Sequence, residues 1–431
     1  MDLLYANDRP GEFPRSHYAE TADIAAPRPA ATGEIKTDIC IIGAGFTGLS
    51  AALHLARRGY RVAVLEAQRA GFGASGRNGG QVGTGQRRDQ DWLEKTVGET
   101  RARALWDMSL GAVELVRALC TELAEPFHPG IIHAEHRPGD VAASHDYADK
   151  LVRNYHYGGI APLSRAELRD LVATDAYFGG TLDTTAGHIH PLRFALGLAR
   201  LAEAAGAVIF ENSRVSGYSA GPACTVHTER AVVTADHLIL ACNGYLGQLN
   251  SKVAARVMPI NNFVVATEPM TAAEQERLIA GNHAVADSKF VVNYYRFSED
   301  HRLLFGGSES YGYRFPRDIA AAVRKPMLRI FPQLDGTRIT HNWGGTLAIT
   351  MNRMPHFARL AGNVLSLSGY SGHGVAMATM GGQIAAQAIA GQAERFDLMA
   401  SVPTHRFPGG AALRWPLLVA AMFWYSLRDR L

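Results

Sequence analysis

Gly43, Gly45 and Gly48 stand in the spacing Gly43-Ala44-Gly45-Phe46-Thr47-Gly48, and a carboxylate, Glu66, follows 18 residues after the third glycine. The first glycine permits a tight turn. The second lets a diphosphate approach the backbone, and the third lets a helix pack closely on a strand. The helix that begins here would face the phosphates with its free N–H groups. A carboxylate ending the next strand accepts both hydroxyls of a ribose and repels a 2′-phosphate. The spacing therefore predicts a dinucleotide site that disfavours an NADP-like ligand.

A second glycine-dense run follows the acidic residue directly: Gly71-Phe72-Gly73-Ala74-Ser75-Gly76-Arg77-Asn78-Gly79-Gly80-Gln81. A nicotinamide enzyme would normally proceed to another helix. Bare backbone suits a large flat ring held edge-on, with amides near its polar edge. Arg77 within the run faces either a phosphate or solvent. Late in the chain, His373 stands between Gly372 and Gly374. There it is a candidate contact to the ring or to a bound substrate. Tyr294, Tyr295 and Trp343 are candidates to wall an aliphatic chain, and Arg296 and Arg302 to pair a carboxylate. His188 and His190 precede Pro191, where helix capping explains them as well as chemistry does.

These residues need particular elements to carry them. Asp38–Ile42 is a short apolar run, the pattern of a strand buried on both faces of a parallel sheet. A helix follows with Leu49, Ala52, Leu53 and Ala56 on one face and Gly59 at its end. Arg61–Leu65 is the next strand, which completes one βαβ unit. Asp91–Leu123 reads as one or two amphipathic helices, and Pro191–Ala205 as a helix with Pro at its first position. Strands are expected at Val208–Phe210, Thr225–Thr228, Val232–Thr234, His237–Ala241, Asn262–Thr267, Phe290–Tyr295, Leu303–Phe305 and Val364–Leu367. A small-residue helix is expected over Val375–Ala390. The fold class is therefore α/β: an interleaved two-domain protein with a Rossmann-like nucleotide-binding domain and a mixed, β-rich substrate domain. The first comprises residues 35–90, 186–255 and 336–400, and the second 91–185 and 256–335. Residues 1–34 form an extended arm, and 401–431 a tail with an apolar helix.

Composition narrows the class of function. Of 431 residues, 47% are hydrophobic and 19% charged, which excludes a disordered chain. The net charge of +3 is spread without blocks, so no nucleic-acid surface is expected. Cys40, Cys120, Cys224 and Cys242 form neither a CxxC pair nor a zinc spacing, so no metal site is expected and a reducing, cytoplasmic compartment fits. The start of the chain lacks the pattern of a secretion signal. No apolar run reaches the length of a membrane span; the nearest, Trp415–Leu427, is either a docked helix or a membrane-surface contact.

Taken together, the motifs resemble those of the D-amino-acid-oxidase-type FAD-dependent oxidoreductases, which include sarcosine, glycine and amine oxidases. Four segments carry the resemblance: IIGAGFTGLSAALHLARRGYRVAVLEA (41–67), GFGASGRNGGQ (71–81), LILACNGY (238–245) and GYSGHGVAM (369–377). Within that family the chain is most similar to gamma-glutamylputrescine oxidases, through SHYAETA (16–22), GHIHPLRFALGLARLA (187–202), YYRFSEDHRLLFGG (294–307) and WGGTLAITMNRMP (343–355).

The resemblance implies FAD, with Gly43, Gly45, Phe46, Thr47 and Gly48 along the diphosphate and Glu66 and Ala67 at the adenosine ribose. It implies Ala74, Ser75, Arg77, Asn78, Gly79, Gly80 and Gln81 around the flavin loop, Val215 at the adenine, and Cys242 beside the cofactor. Gly372, His373, Gly374 and Val375 would open a helix aimed at the flavin C2 carbonyl, where a helix N-terminus stabilises the reduced ring. Relatives that attach FAD covalently use a cysteine late in the chain. None follows Cys242 here, so non-covalent FAD is expected. His373, Arg296, Tyr295 and Trp343 are the expected catalytic residues. The implied reaction is amine oxidation, with a small-molecule amine and oxygen as reactants and aldehyde, ammonia and hydrogen peroxide as products. The strand Arg302–Gly306 lacks the lysine that some relatives use toward oxygen, and Lys289 is remote. A dehydrogenase that passes electrons to a quinone is therefore the alternative.

Overall fold

The chain is described by a computed structural model over residues 2–310 and 312–409. Its first sheet has eight strands. Five run parallel in the spatial order Val364–Ser368, Ala231–Leu240, Gly33–Ile42, Val62–Leu65 and Val208–Phe210, with His356–Ala361 antiparallel at one edge. Cys224–Thr228 pairs antiparallel with Ala231–Leu240, and Val215–Ser219 with Cys224–Thr228. Successive side chains on a strand point to opposite faces. Ile39, Ile41, Val62, Val64 and Ile239 accordingly enter one core, while Cys40, Ile42, Leu65, Leu238 and Leu240 enter another. A continuous apolar run is what a sheet covered on both faces requires.

The helix Phe46–Ala56 follows the first strand, and a Cβ on Gly48 would lie 1.9 Å from the Gly43 carbonyl oxygen. Only a residue without a side chain lets the helix meet the turn there. The late helix Gly374–Ile389 presses on the same helix, where a Cβ on Gly382 would lie 2.4 Å from the Thr47 carbonyl oxygen. Two segments more than 300 residues apart thus fit together through missing side chains.

The second sheet has nine strands, in the order Ile339–Ile349, Met258–Thr267, Leu303–Ser310, Tyr294–Phe297, Ala284–Asp287, His128–Ala134, Gly180–His188 and Gln81–Val82, with Ile160–Leu163 paired to Gly180–His188. Its apolar face packs on the helix Ile319–Ile330 through Phe263, Val265, Phe305, Val323 and Met327. The chain passes between the sheets repeatedly, giving the interleaved two-domain α/β fold.

Several boundaries differ from those expected. Ile339–Ile349, expected with the nucleotide-binding segments, pairs with Met258–Thr267 in the second sheet. Gln81–Val82 also belongs to that sheet. The helix Glu99–Leu123, expected with the substrate segments, buries Leu105, Met108, Val113 and Val116 in the core of the first sheet. Amphipathic spacing reports that a face is buried, not what it is buried against. The strand Tyr294–Phe297 begins four residues later than expected, and the first strand starts at Gly33 rather than Asp38.

The first 34 residues are more ordered than an extended arm. His17–Thr21 is a short helix capped by Ser16, and Tyr18 is fully buried. Among the described residues no helix is long and apolar enough to cross a membrane. The apolar segment Trp415–Leu427 lies outside the described residues.

Candidate active site

A cavity of about 810 Å³ runs from the glycine turn of the first sheet to the face of the second. At one end the strand Gly33–Ile42 turns at Gly43. This glycine has φ 104°, and a Cβ on it would lie 2.8 Å from the Ala241 carbonyl oxygen. Gly45 then caps the helix Phe46–Ala56 without a side-chain hydrogen bond, and Leu49 is the first residue to bond back, to Gly45. Phe46 N–H donates to Ser75 Oγ at 2.9 Å, while Thr47 and Gly48 N–H find no acceptor among the described residues. Of these, Thr47 lines the cavity, so the open first turn of the helix faces it.

Glu66 lies beside this cradle. Its two carboxylate oxygens accept from the backbone N–H groups of Ala44 (2.7 Å) and Gln68 (2.9 Å). Enclosure by protein pushes its pKa up, and these two bonds pull it down. A carboxylate has about four lone-pair sites, so acceptor capacity remains for a diol in the cavity.

The expected cofactor residues divide clearly. Gly43, Gly45, Phe46, Thr47, Glu66, Ala67, Ala74, Ser75, Asn78, Gly79, Gln81, Val215, Cys242, Gly372, His373, Gly374 and Val375 all line the cavity. Gly48, Arg77 and Gly80 do not. Gly48 serves helix packing, and a Cβ on Gly80 would lie 2.1 Å from the Ile189 carbonyl oxygen. Arg77, expected at a phosphate or in solvent, is buried. It pairs with Asp8 at 2.9 Å, donates to the carbonyls of Phe72 and Gly344, and stacks its guanidinium 4.3 Å over the Phe72 ring. It fastens the N-terminal arm to the loop.

The expected catalytic set is mostly displaced. Tyr295 faces the core of the second sheet, stacked on Phe305 at 5.3 Å, with its hydroxyl donating to Tyr177. Its neighbour Tyr294 faces the cavity and bonds Asn262. Which of two adjacent tyrosines enters the cavity depends on the phase of the strand. Trp343 is 2% exposed and donates Nε1–H to the Arg77 carbonyl at 3.0 Å, so it packs behind the loop. Arg296 donates to the carbonyls of Gly79, Ile189 and Phe297 and to the Tyr18 hydroxyl. Arg302 is engaged by Asp300, Thr267 and Thr340. Neither arginine lines the cavity, and both brace backbone around it.

His373 is at the cavity wall. Its Nε2 lies 2.9 Å from the Gly85 carbonyl oxygen, which can only accept, so Nε2 carries the proton. Burial and the nearby Arg87 hold its pKa down to about 4. The imidazole is therefore neutral near pH 7, with Nδ1 as its free acceptor. That geometry braces the 83–85 turn against the late helix and places no cation at the ring. His190 caps the Pro191–Ala204 helix, Nδ1 accepting from Arg193 N–H, and His188 bonds the Asn282 carbonyl.

Sequence reasoning missed several wall residues. His133 and Arg87 line the cavity and are exposed toward it. Burial lowers the pKa of His133, its largest influence, so the imidazole is neutral. Arg353, Phe290, Asp287, Glu309 and Tyr370 also line the wall. Tyr370 joins Thr47 through hydroxyls 2.7 Å apart, tying the late loop to the glycine-turn helix. The alternation Ile132-His133-Ala134 in an otherwise apolar strand was the one signal for His133. The other wall residues converge from separate loops. Among the described residues no lysine, Lys289 included, lines the cavity.

Comparison with known proteins bears on this site. Residues 38–388 match the family described as FAD dependent oxidoreductase, DAO. The chain is 39% identical to gamma-glutamylputrescine oxidoreductase of Escherichia coli strain K12, over 97% of this chain and 99% of that protein. It is 40% identical to a probable oxidoreductase, OrdL, of Rhizobium meliloti, over 93% and 94% of the two chains. Among solved structures, glycine oxidase from Geobacillus kaustophilus superposes with a TM-score of 0.74 at 18% identity, covering 86% of this chain and 99% of its own.

Proposed function

Since the chain belongs to the DAO family of FAD dependent oxidoreductases, we propose that it is an amine oxidase for a gamma-glutamylated polyamine such as gamma-glutamylputrescine. The observation that carries this reading is the 39% identity with gamma-glutamylputrescine oxidoreductase, sustained over 97% of the chain.

The cavity residues fit FAD. The uncapped helix at Gly45, with an unpaired N–H group at Thr47 on the cavity wall, suits a diphosphate. Glu66 suits the adenosine ribose, and Val215 lines the same end. The loop around Ala74–Gln81 and the uncapped N-terminus of Gly374–Ile389 suit the flavin ring and its C2 carbonyl. Of the cysteines, only Cys242 lines the cavity, and its thiol donates to the Ile42 carbonyl with a pKa pushed up to about 12 by burial. A thiol so disfavoured as thiolate is a poor nucleophile, which supports non-covalent binding.

FAD held by these residues would supply a two-electron hydride acceptor, with oxygen as the terminal oxidant in the oxidase reading. The amine α-carbon loses a hydride as the nitrogen lone pair forms the C=N bond. Water then converts the imine to aldehyde and ammonia. The protein's part is to position the amine in the cavity whose wall includes Tyr294. The amine must react as its free base; His133 and His373, both neutral, add no positive charge to this wall to oppose its binding. The experiment is aerobic turnover of gamma-glutamylputrescine with aldehyde, ammonia and peroxide measured together. Equal yields support the oxidase. Substrate consumption without peroxide would make it a dehydrogenase, and no consumption would refute the substrate assignment.

A further inference from the structure

Two guanidinium groups line the cavity wall without a carboxylate within ion-pair distance among the described residues. Arg87 uses only Nε, donating 3.1 Å to the Ser371 carbonyl, and its remaining N–H groups open onto the cavity. Arg353 holds its guanidinium 5.5 Å over the Phe290 ring. The two sit close enough to repel each other, and Arg88 adds to the repulsion on Arg87 while Glu309 offsets part of it.

Both positions carry a cost. Arg353 has φ 69°, a left-handed backbone where glycine is the usual occupant, and Ser371, which anchors Arg87, has φ 53°. Arg87 is exposed toward the cavity and Arg353 partly so, and neither has a carboxylate partner among the described residues. An anion entering the cavity would meet two guanidinium groups with hydrogen-bonding capacity to spare. The diphosphate cradle at Gly43–Thr47 does not use these arginines. Arg87 is grouped with Ser371, His373 and His133, at the end where the substrate domain meets the late helix.

We propose that Arg87 and Arg353 form an anion subsite that binds the carboxylate carried by the substrate away from its reacting amine. Guanidinium groups match a carboxylate in planar, paired hydrogen bonds. A gamma-glutamyl group carries such a carboxylate and a simple acetyl group does not. The subsite thus selects acyl-polyamines with an anionic acyl end over free or acetylated ones. This deepens the reading of the site as a polyamine-derivative oxidase and rests on it for the identity of the amine.

The test separates the two. N-(γ-glutamyl)butylamine keeps the carboxylate and lacks the reacting amine, and N-acetylbutylamine lacks both. Each is titrated into the holoenzyme, with the flavin visible spectrum as readout. The wild type should bind the γ-glutamyl ligand roughly ten- to a hundredfold more tightly. Arg87→Gln and Arg353→Gln should each erase most of that preference and leave the acetyl ligand unchanged. Equal affinities in the wild type would overturn the subsite. So would equal losses for both ligands in variants that retain FAD. Sulfite binding by the variants guards against a charge that serves the flavin instead: reduced sulfite affinity with ligand preference intact would also overturn it. Arg353→Gln, in an accessible turn, keeps the test open should Arg87→Gln fail to fold. Failure of gamma-glutamylputrescine to be oxidised would refute the substrate reading while leaving the dead-end ligand comparison to decide the subsite.

Discussion

Arg296 of the second sheet donates from Nε to the carbonyl oxygen of Gly79 at 2.7 Å, locking the loop that lines the cavity to the sheet behind it. The same guanidinium holds Ile189 and Tyr18, and Arg296 is 5% exposed. Its charge is spent on positioning. Arg296→Met should leave buried carbonyls unpaired, cost on the order of 3–5 kcal/mol and reduce flavin content. Thermal unfolding together with the flavin-to-protein ratio checks this. Unchanged values in both would show that the loop holds itself.

Glu66→Ala should weaken FAD retention, since each charge-assisted bond to the ribose contributes on the order of 1.5–3 kcal/mol. Dilution followed by filtration measures the loss. Acid precipitation of the wild type should release all flavin to the supernatant, because no cysteine thiolate is available to hold it. Full occupancy of the variant after dilution, or colour left in the pellet, contradicts these two expectations respectively.

His373→Ala should cost cofactor and stability together, by about 1–3 kcal/mol, because Nε2 braces the Gly85 carbonyl. In the fraction that keeps FAD, flavin reduction should slow by less than roughly tenfold. Slowing of roughly a hundredfold or more with full FAD would instead make His373 a transition-state contact.

The histidines also set an acid limit. Burial holds His17, His356 and His373 near 4 and His190 near 2, all below the free value of 6.5. The unfolded chain then binds more protons than the folded one, so their stability is present above pH 6.5 and is lost as pH falls toward 4. Glu66 and Asp287, raised by burial, act in the opposite sense in the lower part of that range. The melting temperature should fall between pH 6.5 and 5, with net uptake of roughly two to four protons on unfolding at pH 5. A flat profile there would mean that these imidazoles are protonated in the fold.

The glycine turn, Glu66 and the loop 71–81 were legible in the sequence because their chemistry is local: spacing, backbone freedom and one carboxylate. The substrate wall was not. Tyr294 and Tyr295 differ only by strand phase, which is set by pairing with Leu303–Ser310. Arg296 and Arg77 looked free because their partners, Gly79 and Asp8, are 217 and 69 residues away. Arg87 and Arg353 line one cavity across 266 positions, and only the fold shows that no carboxylate of the described residues pairs with either. The helix Glu99–Leu123 was recognised, but its address in the first core was not, since amphipathicity carries no address.

The most direct measurement is anaerobic mixing of the purified holoenzyme with gamma-glutamylputrescine while the flavin visible absorbance is followed. Saturable bleaching is expected, complete with about one equivalent of substrate, the stoichiometry of one two-electron oxidation per flavin. An absorbance that persists with gamma-glutamylputrescine but bleaches with glycine or proline would contradict it.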